Sequence, residues 1–114
     1  MIVRHVPGPI HHRVVEHDGT IYVGGLVAGD KSKDMKGQAE EIFAKLEDLL
    51  VQAGSSKKKL LSVTIFSAAF GERQGFNEAW TEWLAPEDFP VRAYIGGAEL
   101  SEGTRVEITA IAAK

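Results

Sequence analysis

The reading of FPVRAYIGGAELSEGTRVEITAIAAK, residues 89–114, decides the fold. It holds two strand-like runs, 91–95 and 104–112, around the glycine-containing GGAELSEG. Each run carries a charge among apolar residues, Arg92 in the first and Glu107 in the second. As a simple hairpin, the segment turns between Glu99 and Leu100 and sets Arg92 directly across from Glu107. Such a cross-strand ion pair is worth roughly 0.2–1 kcal/mol and implies no function. Spacing alone favours this pairing, because structural ion pairs outnumber catalytic ones. A functional reading asks for the opposite arrangement. Arginine offers a planar fork that holds a carboxylate with two parallel hydrogen bonds. Glutamate can position or deprotonate a water, but a guanidinium in contact weakens it as a base. A working site therefore needs the two side chains separated by a small ligand.

Upstream, Asp18-Gly19 lies between two β-branched and aromatic runs, a hairpin signal that predicts strands over 13–16 and 20–27. Between Asp34 and Gly54, Met35, Ala39, Ile42, Phe43, Leu46, Leu49, Leu50 and Ala53 recur at helical spacing. Glu41 and Lys45 stand one turn apart, and Gly54 suits the left-handed residue that ends many helices. LLSVTIFS, 60–67, alternates as a strand. Phe76, Ala79, Trp80, Trp83 and Leu84 predict a second, shorter helix, with Gly75 as its cap, Glu78 three residues on and Pro86 just past its end.

Successive strand side chains point to opposite faces. Val91, Ala93 and Ile95 thus share one face and Arg92 and Tyr94 the other, while Val106, Ile108 and Ala110 oppose Arg105, Glu107, Thr109 and Ile111. Two helices with one apolar stripe each can cover one side of such a sheet and leave its reverse partly apolar and partly charged. Arg92 and Glu107 are both expected on that reverse side, with a second copy of the chain as its economical cover.

The 114 residues, 44% of them hydrophobic, suffice for one domain with a real core and are too few for two. A net charge of −3 gives no bulk reason to bind nucleic acid or an anionic membrane. With no cysteine, disulfides, thiolate metal sites and a cysteine nucleophile are excluded. The first residues, MIVRHVPGPIHH, lack a signal-peptide core, and no segment approaches the roughly 20 apolar residues of a membrane span, so a cytoplasmic location is expected.

A helix, then AGSS, a strand of the VTIF type, FNEAW, the Pro90-to-Arg92 segment and VEITAIAAK together resemble, in order and spacing, the RidA/YjgF family of imine deaminases. The resemblance runs from Pro9 onward and is most specific where Arg92 is followed fifteen residues later by Glu107. It implies an α+β, chorismate mutase-like single domain over 1–114: a mixed β-sheet with two helices on one face, the last strand running through the middle. It also implies a homotrimer with sites in the clefts between subunits. The activity implied is hydrolysis of reactive 2-imino and enamino acids to 2-oxo acids and ammonia, with no metal or organic cofactor. Arg92 matches the residue that binds the substrate carboxylate and Glu107 the acid that holds the attacking water. Gly25 matches a glycine whose carbonyl lines the site, and Tyr94 a position whose backbone N–H takes part. In the best-studied branch a hydroxylated aromatic stands at the position of Ile10 and a serine at that of Gly24, so both hydroxyls are absent here. That implies a more apolar substrate side chain beside Ile10, or a weaker enzyme.

Other signals have plainer readings. Adjacent His11 and His12 point to opposite faces, which argues against a shared metal site. Lys57-Lys58-Lys59 reads as a solvated loop, Trp80 and Trp83 as core, and Gly24-Gly25 and Gly96-Gly97 lack the lysine and spacing of a phosphate loop. Beside the enzyme stands a second reading from another class, a non-catalytic trimeric binder of small carboxylate metabolites using Arg92. Ribonuclease activity is a distant third.

Overall fold

A computed structural model describes all 114 residues as a six-stranded sheet covered on one side by two helices. The strands are β1 (Ile2–Pro7), β2 (His12–His17), β3 (Thr20–Leu26), β4 (Leu60–Ser67), β5 (Val91–Ile95) and β6 (Val106–Ala113). The helices are α1 (Met35–Gln52), between β3 and β4, and α2 (Arg73–Trp83), between β4 and β5. The sheet order is β1-β2-β3-β6-β4-β5. β6 pairs antiparallel with both β3 and β4, whereas β4 and β5 run parallel. The α+β architecture expected from the sequence is therefore present, and β6 does cross the middle of the sheet. Residues 91–113 are not a hairpin, because β4 lies between β5 and β6.

Local chemistry accounts for most boundaries. Asp18 and Gly19 both take positive φ, 50° and 78°, the backbone of a tight two-residue turn joining β2 to β3. The Asp34 carboxylate accepts the N–H of Gly37 at 2.9 Å and caps α1, and Gly54, at φ 85°, ends it. α2 starts three residues earlier than Phe76, and Gly75 is not its cap. Gly75 lies inside the helix and faces the start of α1, where a Cβ would stand in van der Waals contact, 3.4 Å from the backbone nitrogen of Lys36. β1 has no counterpart in the sequence reading. It is an edge strand without a fully buried residue, so no alternating apolar pattern marks it.

The core lies between helices and sheet. Val63, Ile65, Ile108 and Phe76 are fully buried there, and Phe43 of α1 stacks on Trp83 with ring centroids 4.6 Å apart and meets Phe76 and Trp80 edge-on at 5.4 and 5.9 Å. The two tryptophans are thus core-side residues. Lys57 is not simply solvated: its ammonium donates to the Trp83 carbonyl at 2.8 Å and lies 5.7 Å over that indole. Buried Gln38 accepts the N–H of Arg105 at 2.9 Å and donates to the carbonyls of Lys33 and Gly103 at 3.1 and 3.0 Å. These bonds pin α1 to the entry of β6, the strand that carries Glu107. No helix is long and apolar enough to cross a membrane.

Candidate active site

Strand register decides which candidate residues can meet. Glu107 on β6 is level with Phe66 on β4 and projects from the uncovered side of the sheet. Opposite it, the pairing of β3 with β6 shifts between Val23 and Leu26, and Gly24 and Gly25 occupy the irregularity. A Cβ on Gly25 would lie 3.2 Å from Glu107 Cδ and closer still to its Oε2, so the carboxylate rests against the bare backbone of Gly25 and would have to move for a larger residue there. Gly24 is less constrained. A Cβ there would meet the Arg13 carbonyl at an ordinary 3.7 Å, so nothing in the packing compels the loss of a hydroxyl.

Arg92 lies elsewhere. On β5 it is level with buried Val63 and points to the helix side, so the expectation that it shares a face with Glu107 is overturned. Parallel pairing of β5 with β4 sets the face: Arg92 and Tyr94 turn toward α2, and Val91, Ala93 and Ile95 turn outward. Two strand spacings and three residues of rise put the Cα atoms of Arg92 and Glu107 about 14 Å apart. Within one chain they do not meet, and none of the ion pairs involves either of them.

The Arg92 guanidinium lies 4.9 Å over Trp80, 5.7 Å from the Phe76 ring and 6.0 Å from the Tyr94 ring. Its Nη2 donates to Asn77 Oδ1 at 2.6 Å. Partial burial pulls its pKa below the ordinary guanidinium value, and neighbouring Arg73 acts in the same sense. The fork is therefore oriented on aromatic faces, with one neutral partner and no acid. Tyr94 packs edge-on against Phe70 and Phe76 at 5.8 and 5.4 Å, and its hydroxyl is buried without a hydrogen-bond partner. Ile10 stands in the connection between β1 and β2, 89% exposed, and contributes no wall to either group.

The structure thus gathers Gly24, Gly25 and Glu107 on the open face and Arg92 and Tyr94 on the other, with Ile10 apart. Asn77, which holds the guanidinium, was not singled out from the sequence. Its signal is a poor helix former in the middle of α2, in FNEAW, on the side facing β5.

Known proteins resemble this chain in sequence and fold. The family model described as Endoribonuclease L-PSP matches residues 5–114. A RutC family protein of Haemophilus ducreyi is 31% identical over 100 residues, covering 88% of this chain and 86% of its own. A protein of Dermatophagoides farinae named 2-iminobutanoate/2-iminopropanoate deaminase is 26% identical over 113 residues, covering 92% and 88%. Among solved structures, NMB1025 of Neisseria meningitidis, a member of the YjgF protein family, superposes with a TM-score of 0.93 at 25% identity over 100% of this chain and 95% of its own.

Proposed function

This chain belongs to the Endoribonuclease L-PSP family, the YjgF/RidA proteins, and from that premise we propose that it hydrolyses small 2-imino acids to 2-oxo acids and ammonia. The observation that carries the reading is that Arg92 and Glu107 are both without an ion-pair partner in their own chain, one held on aromatic faces and the other against Gly25. A similar protein bears the name of such a deaminase.

Arg92 grips the substrate carboxylate with the N–H groups not used by Asn77. Glu107 takes a proton from water as the oxygen attacks the C=N carbon. With the substrate as its iminium ion this gives a neutral carbinolamine; Glu107 then returns the proton to the nitrogen, the C–N bond breaks, and ammonia leaves with the hydroxyl proton as ammonium while the carbonyl of the 2-oxo acid forms. Much of the acceleration is proximity, since imines already hydrolyse in water.

The opposite orientations of Arg92 and Glu107 carry a further consequence. A site using both is built from two copies, Arg92 from one and Gly25 with Glu107 from the next. Exposed Tyr22, Val91 and Ile95 supply apolar surface for that contact, and a homotrimer closes it. Ammonia release from freshly generated 2-iminobutyrate tests the reading. Arg92→Ala abolishes the acceleration, and Glu107→Gln lowers it about 10²–10⁴-fold, the range of a lost general base. Near-wild-type turnover in either variant removes the proposal. The absence of hydroxyls at exposed Ile10 and at Gly24 favours one other reading, a carboxylate binder without turnover. Ligand-induced stabilisation without ammonia release identifies it.

A further inference from the structure

A second guanidinium stands beside Arg92 without an acid to neutralise it. Arg73, the first residue of α2, lies 4.6 Å over the ring of Phe70 and enters no ion pair. Phe70 is fixed in turn. A Cβ on Gly96 would lie 3.0 Å from its Cβ and Cγ, so the ring packs on bare backbone, and its edge meets Tyr94 at 5.8 Å. Tyr94 also borders Arg92, at 6.0 Å. The aromatic pair therefore carries one guanidinium at each end.

Beside Arg73 opens a concave surface of about 560 Å³. Phe70, Arg73 and Asn77 line it, and Asn77 is the residue that holds Arg92. The one acid in its wall, Glu78, lies 3.9 Å from the ammonium of Lys36. Arg73 lines this cavity, and Arg92 reaches its wall through Asn77; two cations without acidic partners so placed repel each other, and each gains when an anionic group enters. A monocarboxylate occupies one guanidinium and leaves the other unpaired. A ligand with two acidic groups satisfies both.

We propose that Arg73 is the subsite for a second carboxylate, which makes the preferred substrates 2-imino acids with an acidic side chain, the imines of acidic amino acids. This rests on the assignment of the α-carboxylate to Arg92 in the deaminase reading. The side-chain carboxylate lies on Arg73, over Phe70, and the C=N carbon stands between Arg92 and the water-bearing Glu107 of the neighbouring copy.

The test compares imines generated in solution from glutamate and from 2-aminobutyrate by amino-acid oxidases, with wild type, Arg73→Gln and Arg73→Lys. Wild type is expected to favour the dicarboxylic imine by about tenfold or more in kcat/KM, the scale of one charge-assisted contact. Arg73→Gln should erase that preference through KM with kcat unchanged and leave 2-iminobutyrate unaffected, and Arg73→Lys should restore part of it. Equal kcat/KM for both imines in wild type, or a preference that survives in Arg73→Gln, overturns the subsite. Calorimetric binding of 2-oxoglutarate against 2-oxobutyrate separates this from the activity itself. If neither imine is hydrolysed, the deaminase reading falls. Tighter 2-oxoglutarate binding that Arg73→Gln removes then still supports the subsite, and equal binding of the two acids overturns it.

Discussion

On the helix side of the sheet Val63, Ile65 and Ile108 are fully buried. On the reverse side, one residue along the same or neighbouring strands, Val91 and Tyr22 stay 71% and 46% exposed. The difference separates the face that one chain completes from the face on which we propose that a neighbouring copy packs. The helix side is closely packed: Gln38 is held by Lys31, Lys33, Gly103 and Arg105 and Arg92 by Asn77 and Trp80, while the Tyr94 hydroxyl is its one buried side-chain polar atom without a partner. The open side carries the free carboxylate of Glu107 among surface that is half apolar, the composition of a contact rather than of a solvated face.

The largest effect in breaking this contrast belongs to the helix side. Phe43→Ala removes a ring packed against Phe76, Trp80 and Trp83 and should cost about 3–5 kcal/mol in urea or thermal unfolding, a large share of a small domain's stability. Val91→Lys on the open side should leave the chain's intrinsic unfolding within about 0.5 kcal/mol. It should instead shift light-scattering mass from trimer to monomer. A monomeric wild type, or a trimer indifferent to Val91→Lys, would deny the open face its role.

A smaller effect sharpens the comparison at the rim of the helix layer. Glu41 on α1 accepts the backbone N–H groups of Gly29 and Asp30, and its pKa falls to about 2, first through the Gly29 bond. A carboxyl whose folded pKa is depressed stabilises above its unfolded value near 4.5 and loses that contribution as pH falls toward 2. Melting temperature should therefore drop across that window in wild type and fall less steeply in Glu41→Gln.

The elements of the helix side were legible because burial writes period into sequence. The spacing from Met35 to Ala53 is that of α1, and the alternation of LLSVTIFS is that of β4. β1 left no such trace because both its faces are largely exposed. The hairpin reading of 91–113 failed for another reason: pairing across the sheet is non-local, and GGAELSEG links two strands with β4 between them as readily as two neighbours. Arg92 was misplaced for a separate reason, the assumption that apolar Val91, Ala93 and Ile95 face the helices. Alternation correctly grouped it with Tyr94, but which group faces the helices depends on the parallel register with Val63, which no local pattern encodes. Resemblance singled out Glu107 and Gly25, and only the coordinates show one resting on the other.

The central claim is that each site takes Arg92 from one copy and Glu107 from another, and subunit mixing tests it most directly. Arg92→Ala and Glu107→Ala chains, each inactive alone, are co-refolded in equal amounts and assayed for 2-iminobutyrate hydrolysis. Sites shared around a cyclic trimer regain both intact residues in about one quarter of cases, so activity should return to about that fraction of wild type. Sites contained within single subunits regain none, and a mixture as inactive as its parents, with subunit exchange verified, would contradict the account.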